Sequence, residues 1–397
     1  MRAAAGSAIS EAAAGIAWWR SIVGYFAFTR GDGAIRELDG LRGLAIILVL
    51  LRHATLPFQK GEVVAPVFGL DIATPFLNGW IGVDLFFVLS GFLIAHHIAA
   101  LHERCRGRVP WTRYLAKRLL RIVPAYYCVL FVVAGGLVPL YRIPAGDVSA
   151  SLVHHLLFLQ DYLGADIVVA FWSLGVEEKF YLLAPVLMLP LLRMREPVHQ
   201  AVFVLALAML VLLVRVWAAT TYVGVDSYEA FFPAFRSPFH FSADGLLIGV
   251  FCAVVYRQRC AFPWLTRGRR PGYLFWVGLF AVAGLLFVEP LMGEITWFDK
   301  TLQPTVIAVS FAAMMLAMLL GGGPRQVFRT DSLFGLAKLS YCLYLVHMPL
   351  IAISMAIVAK PGGFWLFVPV FLTLSIAAAL LLHYIVEKPF LLIKDRF

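Results

Sequence analysis

Charged residues are scarce in this sequence. Only 14% of the 397 residues are Asp, Glu, Lys or Arg, whereas 61% are hydrophobic and the mean hydropathy is +0.86. A water-soluble domain has about a quarter charged residues, so this composition excludes a soluble core that hides all the apolar surface. Lipid must solvate much of the chain, and we predict an all-helical, polytopic integral membrane protein.

Cysteine motifs are also absent. The five cysteines lie far apart without a C-x-x-C pair, and no group of histidines and acids has the spacing of metal ligands. This pattern excludes the common zinc and redox motifs. We therefore expect no metal, and we expect the cysteines to be small buried apolar residues.

Long apolar runs dominate the sequence instead. We predict about ten transmembrane helices in one membrane domain over residues 35–392, each able to cross about 30 Å of hydrocarbon. Their approximate ranges are 41–57, 80–100, 122–139, 178–192, 198–217, 239–256, 273–291, 304–321, 338–358 and 365–386. The more polar stretch 151–163 is expected to form a helix in a loop. Residues 393–397 are expected to be a short cytoplasmic tail, with no further soluble domain.

Residues 1–34 precede this domain. Their apolar stretch contains Glu11 and Arg20, unlike the uninterrupted core of a cleavable signal peptide. Apolar residues recur there at helical spacing, with Trp18 and Trp19 suited to headgroup depth. The pattern predicts an amphipathic helix on the membrane surface, and disorder is the alternative.

Basic residues are concentrated in every second loop. If the N-terminus is cytoplasmic, 24 of the 33 Lys and Arg residues fall in inner segments, and every inner loop follows the positive-inside rule. An even number of spans places both termini in the cytoplasm. This placement explains the net charge of +10 without nucleic acid as a partner.

The first predicted span carries ionisable residues that lipid disfavours. Arg42 and His53 are three helical turns apart, so their side chains leave one face about 16 Å apart along the axis, and Asp39 precedes Arg42 by one turn. An imidazole is suited to accept a proton from an alcohol near neutral pH. The alternative is a histidine that only packs. Arg52 points about 100° away and is expected to snorkel or pair locally.

A basic segment lies before the third span. Arg118 and Arg121 are spaced i, i+3 and share a helix face, with Arg113 and Lys117 nearby. Guanidinium groups match phosphate oxygens, so the segment is a candidate phosphate clamp. A role in membrane orientation alone is the alternative.

Further candidates lie in other predicted spans. Adjacent carboxylates at Glu177 and Glu178 point about 100° apart on a helix, so we expect at most one to face the interior. The remaining candidates are Asp84, Ser90 and His347. The alternative to a functional role is helix packing, solvation or interhelical pairing, both for these residues and for Glu387.

Six segments, in order, resemble the acyltransferase-3 family of membrane acyltransferases. They are LDGLRGLA, GVDLFFVLSGFLI, RLLRIVP, FWSLGVEEKFYL, LSYCLYLVHMP and VEKPF, and together they cover roughly residues 35–392. The resemblance implies about ten spans and transfer of an acyl group from cytoplasmic acyl-CoA to a hydroxyl of an extracytoplasmic glycan, lipid or metabolite. Many members carry a fused soluble esterase-like domain, which we do not expect here.

The resemblance also assigns roles to residues. Arg42 and His53 match the family's R-x10-H pair, and Arg118 and Arg121 match its R-x-x-R pair. Glu177 or Glu178 matches the glutamate of its WSLxVEE segment. We expect a catalytic role for these carboxylates with Arg42 and His53, where His53 is a general base or a nucleophile. Four further residues are expected to contact substrate: Asp39, Asp84, Ser90 and His347.

The expected co-substrate is acyl-CoA, with acetyl the acyl group that the resemblance favours. The expected location is the bacterial cytoplasmic (inner) membrane. Two other functions fit the same charged spans: a transporter or flippase that forms no bond, and a structural partner in an envelope-polysaccharide complex. The sequence does not indicate an oligomeric state.

Overall fold

The computed structural model describes residues Tyr25, Phe28, 35–58, 66–67, 70–71, 74–287, 294–358 and 363–396. The surface helix predicted over residues 1–34 lies outside the described residues, apart from two isolated positions. The described chain is helical apart from loops and one antiparallel pair of two-residue strands, β1 (Pro66–Val67) and β2 (Leu70–Asp71). The prediction of an all-helical membrane protein is therefore confirmed in its essentials.

Eleven helices build the body of the described chain. They are α1 (Arg36–Ala54), α2 (Gly82–Arg104), α3 (Trp111–Ala134), α4 (Trp172–Arg193), α5 (Pro197–Thr221), α6 (Phe239–Arg257), α7 (Arg270–Phe287), α8 (Leu302–Leu319), α9 (Asp331–Val346), α10 (Leu350–Val358) and α11 (Gly363–Leu382). Shorter α-helices occupy Thr74–Leu77, Val148–Leu156, Gln160–Leu163, Tyr228–Phe231, Pro263–Thr266, Trp297–Lys300 and Lys388–Asp395. Single 3-10 or π-helical turns lie at Gly79–Ile81, Val169–Phe171, Phe232–Arg236, Arg259–Ala261, Arg325–Arg329 and His383–Glu387.

Helices occupy all ten places where spans were predicted, and two short helices occupy the polar stretch 151–163. Among the described residues, six helices are long and apolar enough to cross a membrane, or seven if α9 and α10 form one span. The chain is thus a multi-pass membrane protein. The other three long helices are α1, α3 and α4, which carry most of the charged candidate residues. Ten spans remain a prediction.

Two details of the predicted spans were wrong. The ninth is not one continuous helix, because α9 and α10 are bent by 88° at the break between them. Pro349 lies in this break, and proline has no N–H for the helical hydrogen bond and collides with the preceding turn. The fourth helix begins at Trp172 rather than near residue 178, so Glu177 and Glu178 lie in its second turn and not at its start.

Glycines allow α2 to pack closely against both α1 and α6. A methyl group on Gly91 would collide with the main-chain carbonyl of Leu246 in α6, and one on Gly82 would approach the Ala45 carbonyl of α1 to 2.5 Å. A methyl group on Gly249 of α6 would lie 2.2 Å from the carbonyl oxygen of Val88 in α2. Glycine at these positions therefore permits the close approach of the helices. The contacts fix α2 against α1, and both of these helices contribute residues to the candidate site.

Gly249→Ala is expected to destabilise the protein by about 1–3 kcal/mol, because the methyl group forces the α2 backbone away from α6. The measurement is thermal unfolding in detergent. Gly284→Ala is the matched control, since a methyl group there meets no atom within 4 Å and alanine favours a helix. Equal unfolding temperatures for the two variants would contradict the close approach of α2 and α6.

Candidate active site

Five helices converge on a cavity that we call the Arg42 cavity. Its empty volume is about 790 Å³, part of it open to solvent. The polar groups in its wall come from α1, α2, α3, α4 and α9. They include Arg42, Ser90, Arg118, Arg121, Ser173, Glu177, Glu178, Tyr181, Ser340, Tyr341 and Tyr344.

Glu177 is fixed by two hydrogen bonds inside this cavity. The Ser90 hydroxyl donates to its Oε1 at 3.1 Å, and the Tyr181 hydroxyl donates to its Oε2 at 2.8 Å. The guanidinium of Arg118 lies 5.4 Å from the centre of the Tyr181 ring and 5.8 Å from that of Tyr114. Contacts with two rings restrict the orientation of the planar guanidinium.

Glu178 also lines the Arg42 cavity, so the expectation that at most one of the two glutamates faces the interior was wrong. The cavity follows more than one face of α4, so both glutamates reach its wall. Only 5% of Glu178 is exposed. Within the described part of the chain, no group forms a hydrogen bond with its carboxyl, in contrast to Glu177.

A second, larger cavity contains His53, and we call it the His53 cavity. Its empty volume is about 1620 Å³, part of it open to solvent, so it has room for a ligand of several rings. Aromatic and charged side chains both contribute to its wall. They include Arg52, His53, Trp80, Trp172, Asp226, Tyr228, Glu229, Arg236, Glu294 and Tyr344.

The helix backbone sets the tautomer of His53. Its Nδ1 lies 2.8 Å from the carbonyl oxygen of Val49, and a carbonyl only accepts, so Nδ1 carries the hydrogen and donates it. In the neutral ring, Nε2 then has the free lone pair. The ring of His347 lies edge-on at 4.7 Å between centroids. This second histidine is fully buried, and its own Nδ1 donates to the Tyr344 carbonyl at 2.9 Å.

Asp84 and Arg236 form a buried ion pair beside this cavity. The Nη1 and Nη2 atoms of Arg236 donate to Oδ1 and Oδ2 of Asp84 at 2.9 and 2.8 Å. The guanidinium lies between two indole rings, 5.1 Å from that of Trp80 and 5.0 Å from that of Trp172. Arg236 was not among the site residues predicted from the sequence. The signal that points to it is Asp84, since an acid in a span needs a cation.

Tyr344 and Val83 line both cavities and so form a common wall between them. The Tyr344 hydroxyl donates to the Ala170 carbonyl at 2.6 Å and lies 2.6 Å from the hydroxyl of Ser173. These bonds hold the phenol ring in place at the wall. Arg42 and His53, on one helix, therefore open into two adjoining cavities rather than into one.

The model of the acyltransferase-3 family (Acyl_transf_3, acyltransferase domain) matches residues 35–384, most of the chain. The chain belongs to this family. It is 25% identical to the peptidoglycan O-acetyltransferase OatA of Listeria monocytogenes over 337 residues, which cover 81% of this chain and 50% of that protein. It is 26% identical to the putative peptidoglycan O-acetyltransferase YrhL of Bacillus subtilis, covering 89% of this chain and 54% of the relative.

A third similar protein is the putative membrane-bound transacylase BcsY of Komagataeibacter xylinus, 30% identical over 200 residues, 47% of this chain and 45% of that protein. This acyltransferase-3 chain thus spans about half the length of the curated relatives it matches. No solved structure matches it.

Not every predicted site residue of this acyltransferase-3 chain lines a cavity. Asp39 is half-buried on α1, Arg113 is exposed and Lys117 half-buried on the first turns of α3, and none of them is in either wall. Arg52 is buried and donates to the Thr55 hydroxyl at 3.0 Å, which confirms the expected local pairing.

Three buried residues near the end of α11 carry potential metal-ligand atoms within 4.8 Å of one another: Cys342, His383 and Glu387. The Cys342 thiol donates to Glu387 Oε2 at 3.1 Å, and His383 Nδ1 lies 2.6 Å from the same oxygen. Oxygen and nitrogen ligands of a tetrahedral zinc lie roughly 3.4 Å apart. Hydrogen bonds thus account for this cluster, and they confirm interhelical pairing of Glu387.

Proposed function

We propose that this chain is a membrane O-acetyltransferase that moves an acetyl group from acetyl-CoA to a hydroxyl of an extracytoplasmic glycan. The observation that supports it most is the pair of adjoining cavities, one with arginines and one with His53, separated by Tyr344 and Val83. Family membership and the glycan O-acetyltransferases among its relatives support the same reaction.

The proposed topology has ten spans, with both termini in the cytoplasm of a bacterium whose inner membrane holds the chain. Positive charges in the predicted inner loops support this orientation. The mouth of the Arg42 cavity then faces the cytoplasm, where acetyl-CoA is made, and the His53 cavity faces the opposite side. Donor and acceptor approach the reaction from opposite faces of the membrane.

The donor binds in the Arg42 cavity. Arg118 and Arg121 bind the phosphates of CoA through charge-assisted hydrogen bonds, with Arg113 and Lys117 adding positive charge on the preceding turns of α3. The pantetheine arm passes along the cavity wall toward Tyr344. Arg42, half-buried in the cavity wall, supplies positive charge that stabilises the thiolate as it leaves.

The acceptor binds in the His53 cavity, where Trp80, Trp172 and Tyr228 offer flat faces to sugar rings. His53 Nε2 removes the proton from the acceptor hydroxyl as its oxygen attacks the thioester carbon. The C–S bond then breaks, and CoA thiolate departs into the Arg42 cavity and takes a proton from water. Protonated His53 gives its proton back to water, so the sum of the two transfers moves the hydroxyl proton to the thiol and restores the neutral ring. The ring of His347 supports that of His53. Asp84 orients Arg236 in the cavity wall. Asp39 lies one turn from Arg42 and holds the Arg42 side chain in position.

The test of this function uses detergent-purified protein with acetyl-CoA and soluble peptidoglycan fragments. We expect free thiol to appear in step with O-acetylated glycan, and more slowly without the glycan. A transporter or flippase releases no thiol and acetylates nothing, so the absence of both products with a panel of hydroxyl acceptors would reject the enzyme assignment.

A further inference from the structure

Glu178 lies in the wall of the Arg42 cavity, where its Oε1 is fully buried and neither carboxyl oxygen has a hydrogen-bond partner in the described chain. Five tyrosine hydroxyls lie close enough to influence this carboxyl. Tyr181 donates to Glu177, and the buried hydroxyl of Tyr114 forms no hydrogen bond to Glu178 in the described chain. The other three each donate to a main-chain carbonyl. The donors and acceptors are Tyr126 to His155 (3.0 Å), Tyr127 to Leu156 (2.7 Å) and Tyr341 to Ile122 (2.7 Å).

The charged neighbours of Glu178 are Glu177 on α4 and Arg118 on α3. Glu177 accepts two hydrogen bonds and so has the environment of a carboxylate, whereas a second bare carboxylate beside it would be repelled. The cation of Arg118 stacks on Tyr114 and Tyr181 and forms no hydrogen bond to Glu178. A buried, unpaired anion is costly, and a neutral carboxyl avoids that cost.

We propose that Glu178 is a neutral carboxylic acid whose O–H donates to an amide carbonyl of the pantetheine arm. This inference rests on the proposed function. A neutral carboxyl differs from a carboxylate in having a donor, and amide carbonyls need donors. Pantetheine carries two amides between the phosphates and the thioester. The Glu178 O–H lies between the phosphate-binding arginines and Tyr344. It therefore favours an acyl carrier that contains amides, and it fixes how far into the Arg42 cavity the thioester reaches.

The test compares Glu178→Gln and Glu178→Leu, measuring kcat/KM for acetyl-CoA and the inhibition constant of free pantetheine, which has the amides but no phosphate. Glutamine keeps a donor, so both values are expected within about threefold of wild type. Leucine removes it and is expected to weaken both about tenfold, the value of one hydrogen bond. Neither change is expected to lower the unfolding temperature, since leucine removes an unsatisfied buried group.

Glu177→Gln provides the contrast. Its amide oxygen can accept from only one of the two hydroxyls, and its NH2 group would face the hydroxyl of the other, Ser90 or Tyr181, so we expect a loss of kcat/KM of tenfold or more for this variant. Equal losses for Glu178→Gln and Glu178→Leu would show that a carboxylate is needed and would overturn the proposal, as would unchanged pantetheine inhibition of Glu178→Leu. If the wild-type protein releases no thiol from acetyl-CoA, the proposed function itself is wrong. If it releases thiol but the Glu178 variants do not behave as expected, only the role of Glu178 is wrong.

Discussion

Replacing His53 with glutamine is expected to lower kcat for acetyl transfer by about 10³-fold and to leave the Kd for CoA unchanged. Glutamine fills a similar space but cannot take the proton of the acceptor hydroxyl, and general-base catalysis contributes about 10²–10⁴-fold. CoA binding persists because Arg118 and Arg121 line the other cavity. The measurements are O-acetylated glycan and free thiol for the rate, and calorimetric titration with CoA for the affinity.

His155→Gln is the matched control for this substitution. Both rings donate from Nδ1 to the carbonyl four residues earlier at 2.8 Å, but His155 lies in a loop helix and lines neither cavity. We expect the control to retain the wild-type rate. A glutamine variant at His53 that transfers acetyl at the wild-type rate while it still binds CoA would remove His53 from the chemistry. An acetyl group trapped on His53 when the acceptor is withheld would identify a nucleophile instead of a base.

The double substitution Arg118→Ala, Arg121→Ala is expected to raise KM for acetyl-CoA by at least 100-fold. Each hydrogen bond from a cation to a phosphate contributes about 1.5–3 kcal/mol, and the pair is lost together. S-acetylpantetheine has the same thioester and amides without these phosphates, so its kcat/KM is expected to change less than threefold. Initial rates with the two donors, at one salt concentration, measure the difference.

Arg267→Ala is the control for a general effect of positive charge. Arg267 is exposed in a basic loop that the proposed topology also places in the cytoplasm, and it lines neither cavity. It is expected to leave KM unchanged. If Arg118 and Arg121 only orient the helix in the membrane, the double variant will be inserted less well yet will have a wild-type KM, and the phosphate-binding role is then wrong.

Much of the site could be predicted where one helix supplies the geometry. The i, i+3 spacing of Arg118 and Arg121 predicted a shared face, and the structure places both side chains in one cavity. The residue types and spacings that resemble the acyltransferase-3 family predicted the membership that the family match confirms.

The pairs that join distant parts of the chain were not predictable. Asp84 and Arg236 are 152 residues apart, yet they form a bidentate ion pair between two tryptophans. His347 lies at the start of the break between α9 and α10, and its ring contacts that of a histidine in the first helix. The prediction that at most one of Glu177 and Glu178 faces the interior was wrong, because the Arg42 cavity follows more than one face of α4. Which faces meet depends on all the neighbouring helices, and a single segment does not carry that information.

The sequence by itself determined the membrane class, the location of the helices and the order of charged residues along each face. These follow from hydropathy and the fixed 3.6-residue turn, both local properties of the chain. Only the tertiary structure decided that Arg42 and His53 belong to separate cavities, and that Tyr344 and Val83 divide them. The physical reason is that a cavity is what packed helices leave open, so its shape is set by contacts between segments and not by any one of them.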